Sequence, residues 1–131
     1  MKIAHFKHAA LCGLAGVFLF LSANQAMAAK FSCTGPLTYL GFFDTGRLAA
    51  SINGQGVWSI CSTDGTWNGV NAAACKNWYG ALLTAYSTQK PVELYFDTAN
   101  SANSSIAAGD CSKANMGHWV ARPPYFLHVP N

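Results

Sequence analysis

CKNWYGALLTAYSTQKPVELYFDT (residues 75–98) changes its hydrophobic period part-way along. Cys75, Trp78, Tyr79, Leu82 and Tyr86 recur at steps of three and four, which gathers them on one stripe of a helix. Val92, Leu94 and Phe96 then alternate with Glu93, Tyr95 and Asp97, the period of a strand with one buried face. Gln89-Lys90-Pro91 separates the two regimes, because the residue before a proline is pushed out of the α region. The stretch predicts a helix capped by Asn71 or a neighbour and running to about Thr88, followed by a strand over 92–97.

Outward from this corner the signals are those of short strands. Residues 37–43 are aromatic and aliphatic and end in the turn Asp44-Thr45-Gly46. A second strand is expected over 47–52, a turn at Asn53-Gly54-Gln55-Gly56, and a third strand over 57–61. STDGTWNGVN (residues 62–71) reads as a polar loop, and TANSANSSIAAG (residues 98–109) as a mobile surface loop of low complexity. After Arg122-Pro123-Pro124, residues 125–129 suit a closing strand, which the prolines restrict to an edge or to its own beginning. The order β-β-β-α-β-β makes the chain mainly β with one helix. It predicts an OB-fold-like five-stranded barrel, a Greek-key architecture that binds sugars or oligonucleotides, with a generic α+β sandwich as the alternative.

The ends and the composition narrow the function. Lys2 and Lys7, an apolar run over 9–21 and Ala26-Met27-Ala28 make residues 1–28 a secretory signal peptide, leaving 29–131 as a single small domain, secreted or periplasmic. No segment approaches the roughly 20 apolar residues of a membrane-spanning helix. Without the leader, Lys30, Arg47, Lys76, Lys90, Lys113 and Arg122 face Asp44, Asp64, Glu93, Asp97 and Asp110. That near balance argues against nucleic acid, whose phosphates need clustered cations.

Four cysteines remain, an even set in an exported chain and therefore a disulfide framework with three possible connectivities. We favour Cys61 with Cys75, tying a strand end to the first helical turn, and Cys33 with Cys111, anchoring the N-terminal segment near the last strand. Each closure would contribute about 3 to 4 kcal/mol. No CxxC or HxxxH spacing points to a metal, and nothing calls for a cofactor.

Phe43-Asp44-Thr45-Gly46-Arg47-Leu48, the segment YSTQKPVELYF (residues 86–96) and the positions of Cys61 and Cys75 resemble the B subunits of subtilase cytotoxin and typhoid toxin. The resemblance implies an OB-fold subunit that assembles as a ring of five and binds sialylated glycans on host cells. Where those subunits use a serine at the start of the first strand, this chain has Pro36, with Thr34 two residues earlier.

Catalysis finds little footing. Glu93 and Asp97 lie four apart on one strand face, about 13 Å at 3.3 Å per residue, whereas glycosidase carboxylates lie about 5 to 9.5 Å apart. The cysteines are committed to disulfides, and no serine sits in a nucleophile elbow. His118 and His128 read as packing or surface residues, and Trp58, Trp78 and Trp119 as core. The expected protein is not an enzyme but a binding module. Trp67 would stack on a sugar face while Asp64 and Asn68 bond its hydroxyls, with Asp44 and Thr45 contributing from the neighbouring turn. The expected partner is a cell-surface glycan. An exported inhibitor or accessory protein that binds a protein partner is the alternative, and the strip Tyr79, Tyr86 and Tyr95 would suit a homo-oligomer, a pentamer if the toxin likeness holds.

Overall fold

The structure, a computed structural model, describes residues 28–130. The signal peptide expected over 1–28 lies, but for Ala28, outside the described residues. In chain order the elements are β1 (Lys30–Phe42), β2 (Arg47–Ile52), β3 (Trp58–Ser62), α1 (Ala72–Thr88), β4 (Pro91–Asp97), a 3-10 turn at Ser101–Asn103, α2 (Lys113–Met116), β5 (Val120–Ala121) and β6 (Phe126–His128). The chain is thus mainly β with one long helix. Its six strands form a single mixed sheet in the order β5-β3-β2-β1-β4-β6.

The closing strand expected over 125–129 is divided. β5 pairs in parallel with β3 at one edge of the sheet, and β6 pairs antiparallel with β4 at the other. Pro123 and Pro124 stand between them and have no N–H with which to continue a ladder. The ladder is therefore six-stranded and open, in place of the closed five-stranded barrel that the element order predicts.

The first strand begins at Lys30, seven residues before the expected start, because β1 serves two neighbours in turn. Residues 30–36 pair with β4 and 37–42 with β2, with an irregularity between Leu37 and Tyr39. Pro36 stands where β1 passes from one partner to the other. Gly35 is buried directly under the Asn53 side chain, whose amide donates to the Thr34 carbonyl at 3.1 Å; a Cβ there would collide with it.

The core lies between the sheet and α1. Val92, Leu94 and Phe96 are buried while Glu93, Tyr95 and Asp97 face outward, as their alternation predicts. From α1, Cys75, Leu82 and Ala85 are buried against it, with Trp78 and Tyr79 partly so. Tyr86, assigned by period to the same stripe, is exposed, as is every residue from there to Pro91, so the last helical turn runs past the sheet. Trp58 is fully buried, whereas Trp119 is 52% exposed instead of in the core. Its backbone is left-handed (φ 58°), which interrupts strand alternation just before β5.

Both expected disulfides form. Cys61 and Cys75 have Cα atoms 5.6 Å apart, and Cys33 and Cys111 5.7 Å apart. The segment expected as a mobile loop over 98–109 is instead an ordered strap. It contains the 3-10 turn and buries Asn103 and Ile106. Arg122 clamps the strap from outside the loop, donating from Nε to the Met116 carbonyl at 2.8 Å and from Nη1 to the Ala102 carbonyl. No helix of the described residues is long and apolar enough to cross a membrane.

Candidate functional site

A cleft of about 380 Å³ opens where three segments distant in sequence meet, residues 68–78, 97–100 and 123–125, within the usual range for a small-ligand site. Asn68, Gly69 and Asn71 form one rim, Ala74 and Trp78 of α1 one wall, Asp97 and Asn100 the opposite rim, and Pro123, Pro124 and Tyr125 the floor.

Local sequence positions each of these groups. Trp67 and Val70 exchange backbone hydrogen bonds of 2.9 and 3.0 Å, closing a tight turn whose central residues, Asn68 and Gly69, are both left-handed (φ 47° and 88°). Asn and Gly are the residues that tolerate this, and the turn lifts Asn68 to the cleft mouth. Asn71 caps α1 by accepting from the Ala74 N–H at 2.8 Å, which uses its carbonyl oxygen and leaves its amide hydrogens for a ligand. Trp78 follows Ala74 by four residues and so shares its face of the helix.

The opposite rim is tied to the first. Asn100 accepts from the Ala102 N–H at 3.0 Å and donates from its amide to the Asn68 carbonyl at 3.0 Å, linking the 67–70 turn to the strap. Asp97 accepts from the Ala99 N–H through Oδ1 at 2.8 Å. Beneath them the buried Asn103 amide donates to the Pro123 carbonyl at 2.9 Å and, more weakly, to the Asp97 carbonyl at 3.4 Å. Its Oδ1 has no partner among the described residues. Asn103 thus holds floor and rim together. Tyr125 donates its backbone N–H to the Tyr95 carbonyl at 2.9 Å, and its half-exposed ring carries the Lys30 ammonium 5.1 Å from its centre.

The five sequence-predicted ligand residues divide between two places. Asn68 lines the cleft. Trp67, the expected stacking platform, is partly buried and its backbone is spent on the Val70 bridge; it is not among the residues that line the cleft. Asp44, Thr45 and Asp64 lie together elsewhere. Arg47 Nε donates to Thr45 Oγ1 at 3.0 Å, Thr63 Oγ1 donates to the Gly46 carbonyl at 3.1 Å, and the Asp64 carboxylate packs over left-handed Gly46. Next to that turn, Tyr39 and Phe43 stand edge-on to Trp119 at 5.7 and 5.8 Å. Val57 fixes this corner, its carbonyl accepting from the Trp119 N–H at 2.7 Å and its N–H donating to His118 Nδ1 at 3.0 Å.

The residues that sequence reasoning missed are Asn71, Trp78, Asp97, Asn100 and Tyr125. Asn68-Gly69 was a readable signal for a left-handed two-residue turn, but nothing local joins residues 68, 97 and 125.

Ser32, Glu93 and His128 make a polar row on the outer face of β1, β4 and β6. Ser32 Oγ donates to Glu93 Oε1 at 2.7 Å, and His128 Nδ1 lies 3.7 Å from Oε2. The Ser32 hydroxyl first, then Tyr95 and His128, hold the Glu93 carboxyl below its ordinary range, while Glu93 pushes the Tyr95 hydroxyl up. The carboxylate stands between serine and histidine, so Ser32 bonds the carboxylate and not the imidazole, unlike the serine–histidine pair of a catalytic triad. Among the described residues no three His, Cys, Asp or Glu side chains converge as metal ligands would. No protein-family model, curated protein or solved structure matches the chain, so its site is read from its chemistry.

Proposed function

We propose that the chain is an exported carbohydrate-binding module that takes a sugar in the cleft between α1 and the 123–125 segment. The observation that carries the reading is the cleft's composition. Trp78, Tyr125 and two prolines offer apolar surface to a pyranose ring, while Asn68, Asn71, Asn100 and Asp97 offer hydrogen-bond donors and acceptors to its hydroxyls. The two disulfides and the absence of a helix able to span a membrane, among the described residues, fit an extracellular or periplasmic setting.

The same reading takes the frame as OB-like. β5 and β6 occupy opposite edges of the sheet but are consecutive in the chain, so one broken fifth strand would bring the ladder round on itself. With that frame comes the toxin-like arrangement, a ring of five presenting five clefts to a glycosylated surface. A native mass of five mature chains supports the ring, and a monomer removes it without touching the sugar site.

The test of the binding reading is a glycan array with the mature chain, followed by titration of the best ligand. Tyr125→Ala should weaken binding about fivefold, the effect of losing one aromatic contact of roughly 1 kcal/mol. Trp67→Ala should leave it unchanged. Absence of glycan binding sinks the proposal.

A second reading, an exported inhibitor or accessory protein, draws on the half-exposed Trp119 and its neighbours Tyr39 and Phe43, since exposed aromatic clusters serve as protein contacts. A defined complex with one exported protein, weakened by Trp119→Ala and not by Tyr125→Ala, would favour it.

A further inference from the structure

We infer that the cleft, if it is the sugar site proposed above, selects uncharged sugars over acidic ones, with Asp97 as the specificity-determining residue. Asp97 is the one charged side chain among the residues that line it. Its Oδ1 accepts from the Ala99 N–H at 2.8 Å, which fixes the carboxylate on the rim and leaves Oδ2 as an acceptor for a ligand hydroxyl. Every other polar group on the walls is neutral: the side-chain amides of Asn68, Asn71 and Asn100 and the Tyr125 hydroxyl. A neutral sugar satisfies such a set by donating to Asp97 and accepting from the amides. A sialic or uronic acid would set a second carboxylate beside the first with no lining cation between them, and like charges in contact repel.

Among the described residues, the cation placed against a lining ring is Lys30. It is the cross-strand partner of Asp97, so the two share a face of the sheet, and its ammonium lies 5.1 Å from the centre of the Tyr125 ring. Lys30 is exposed and stands outside the lining, over the ring, whereas Asp97 is part of the rim itself. The carboxylate is therefore the charge a bound sugar meets first. This is the opposite of the sialylated ligand that the toxin resemblance implies.

The mature chain, Asp97→Asn and Lys30→Ala are compared on an array of matched pairs, each a neutral oligosaccharide beside its sialylated or uronic-acid-bearing form, with circular dichroism to verify folding. Asparagine keeps an oxygen for the Ala99 N–H, so Asp97→Asn removes the charge and retains the anchor. In each pair that binds, the neutral member should be held at least about tenfold more tightly, equivalent to about 1.4 kcal/mol. Asp97→Asn should bring the ratio toward one, and Lys30→Ala should leave it in place. Preference for the acidic member, or selective loss of acidic-sugar binding in Lys30→Ala, overturns the selection and leaves the carbohydrate reading standing. If no pair binds, both fall.

Discussion

Glu93 receives the Ser32 hydroxyl at 2.7 Å on one oxygen and faces His128 across 3.7 Å on the other. These contacts favour the ionised carboxylate, so its folded pKa lies below the unfolded one. A group depressed in this way adds stability that is present above the unfolded carboxylate range and is lost as pH falls through the folded value. Glu93→Gln keeps an acceptor for Ser32 but cannot titrate. Denaturant melts between about pH 2.5 and 6, a range that brackets ordinary carboxyl groups, should show a shallower acid loss for Glu93→Gln than for the parent. An identical slope would mean that the row contributes nothing through protonation. At the same scale, Asn68 and Asn53 both precede a glycine and both stand in left-handed backbone with it. Asn-Gly turns are legible from sequence, because few other residues enter that region at low cost.

β1 was legible only in its second half, since Gly35 and Pro36 mask the alternation that Cys33, Gly35 and Leu37 nonetheless follow into the core. The strap over 98–109 looks unstructured because its residues are small and polar, yet Asn103 and Ile106 are buried in it and Arg122 ties it to the Met116 carbonyl of α2. Arg122 bonds only backbone carbonyls there, and burial lowers its pKa. Hydrogen bonds to a charged donor contribute about 1.5 to 3 kcal/mol each in favourable settings. Its partial exposure discounts that expectation, so Arg122→Met should cost about 2 kcal/mol, and Arg122→Lys should recover little because an ammonium cannot reproduce the fork. Thermal melts measure the loss, and accelerated amide exchange should be confined to the strap. A uniform acceleration would show that the strap has no stability of its own.

In the whole molecule, two disulfides close loops of different length over one small core. Cys61 and Cys75 are 14 residues apart and Cys33 and Cys111 are 78 apart. Loop-closure entropy assigns them about 3 and about 4.5 kcal/mol. Replacing Cys33 and Cys111 with alanine should therefore destabilise more than replacing Cys61 and Cys75, and reduction of both should leave the chain largely unfolded, given the roughly 5 to 15 kcal/mol of a typical domain. Denaturant midpoints of the two double mutants test the order. The cysteine count and export-like leader made the framework readable, and the positions of Cys61 at a strand end and Cys75 on the helical stripe favoured the pairing that forms. Periodicity likewise determined α1 and β4, because each buries one face and burial writes a 3.6 or 2.0 repeat into the chain, whereas β2 and β3, buried on both faces, were marked by the turns that bound them. What only the tertiary structure decided is the cleft. Asn68, Trp78, Asp97 and Tyr125 come from a turn, a helix, a strand end and a proline-bound crossover, and no local repeat records that they meet. The split of the last strand into β5 and β6, and the outward turn of Trp119, belong to the same class. The split depends on where Pro123 and Pro124 carry the chain between the two edges of the sheet, and the turn of Trp119 on the left-handed backbone that its bond to the Val57 carbonyl holds, both set by packing across the molecule and not by neighbours in sequence.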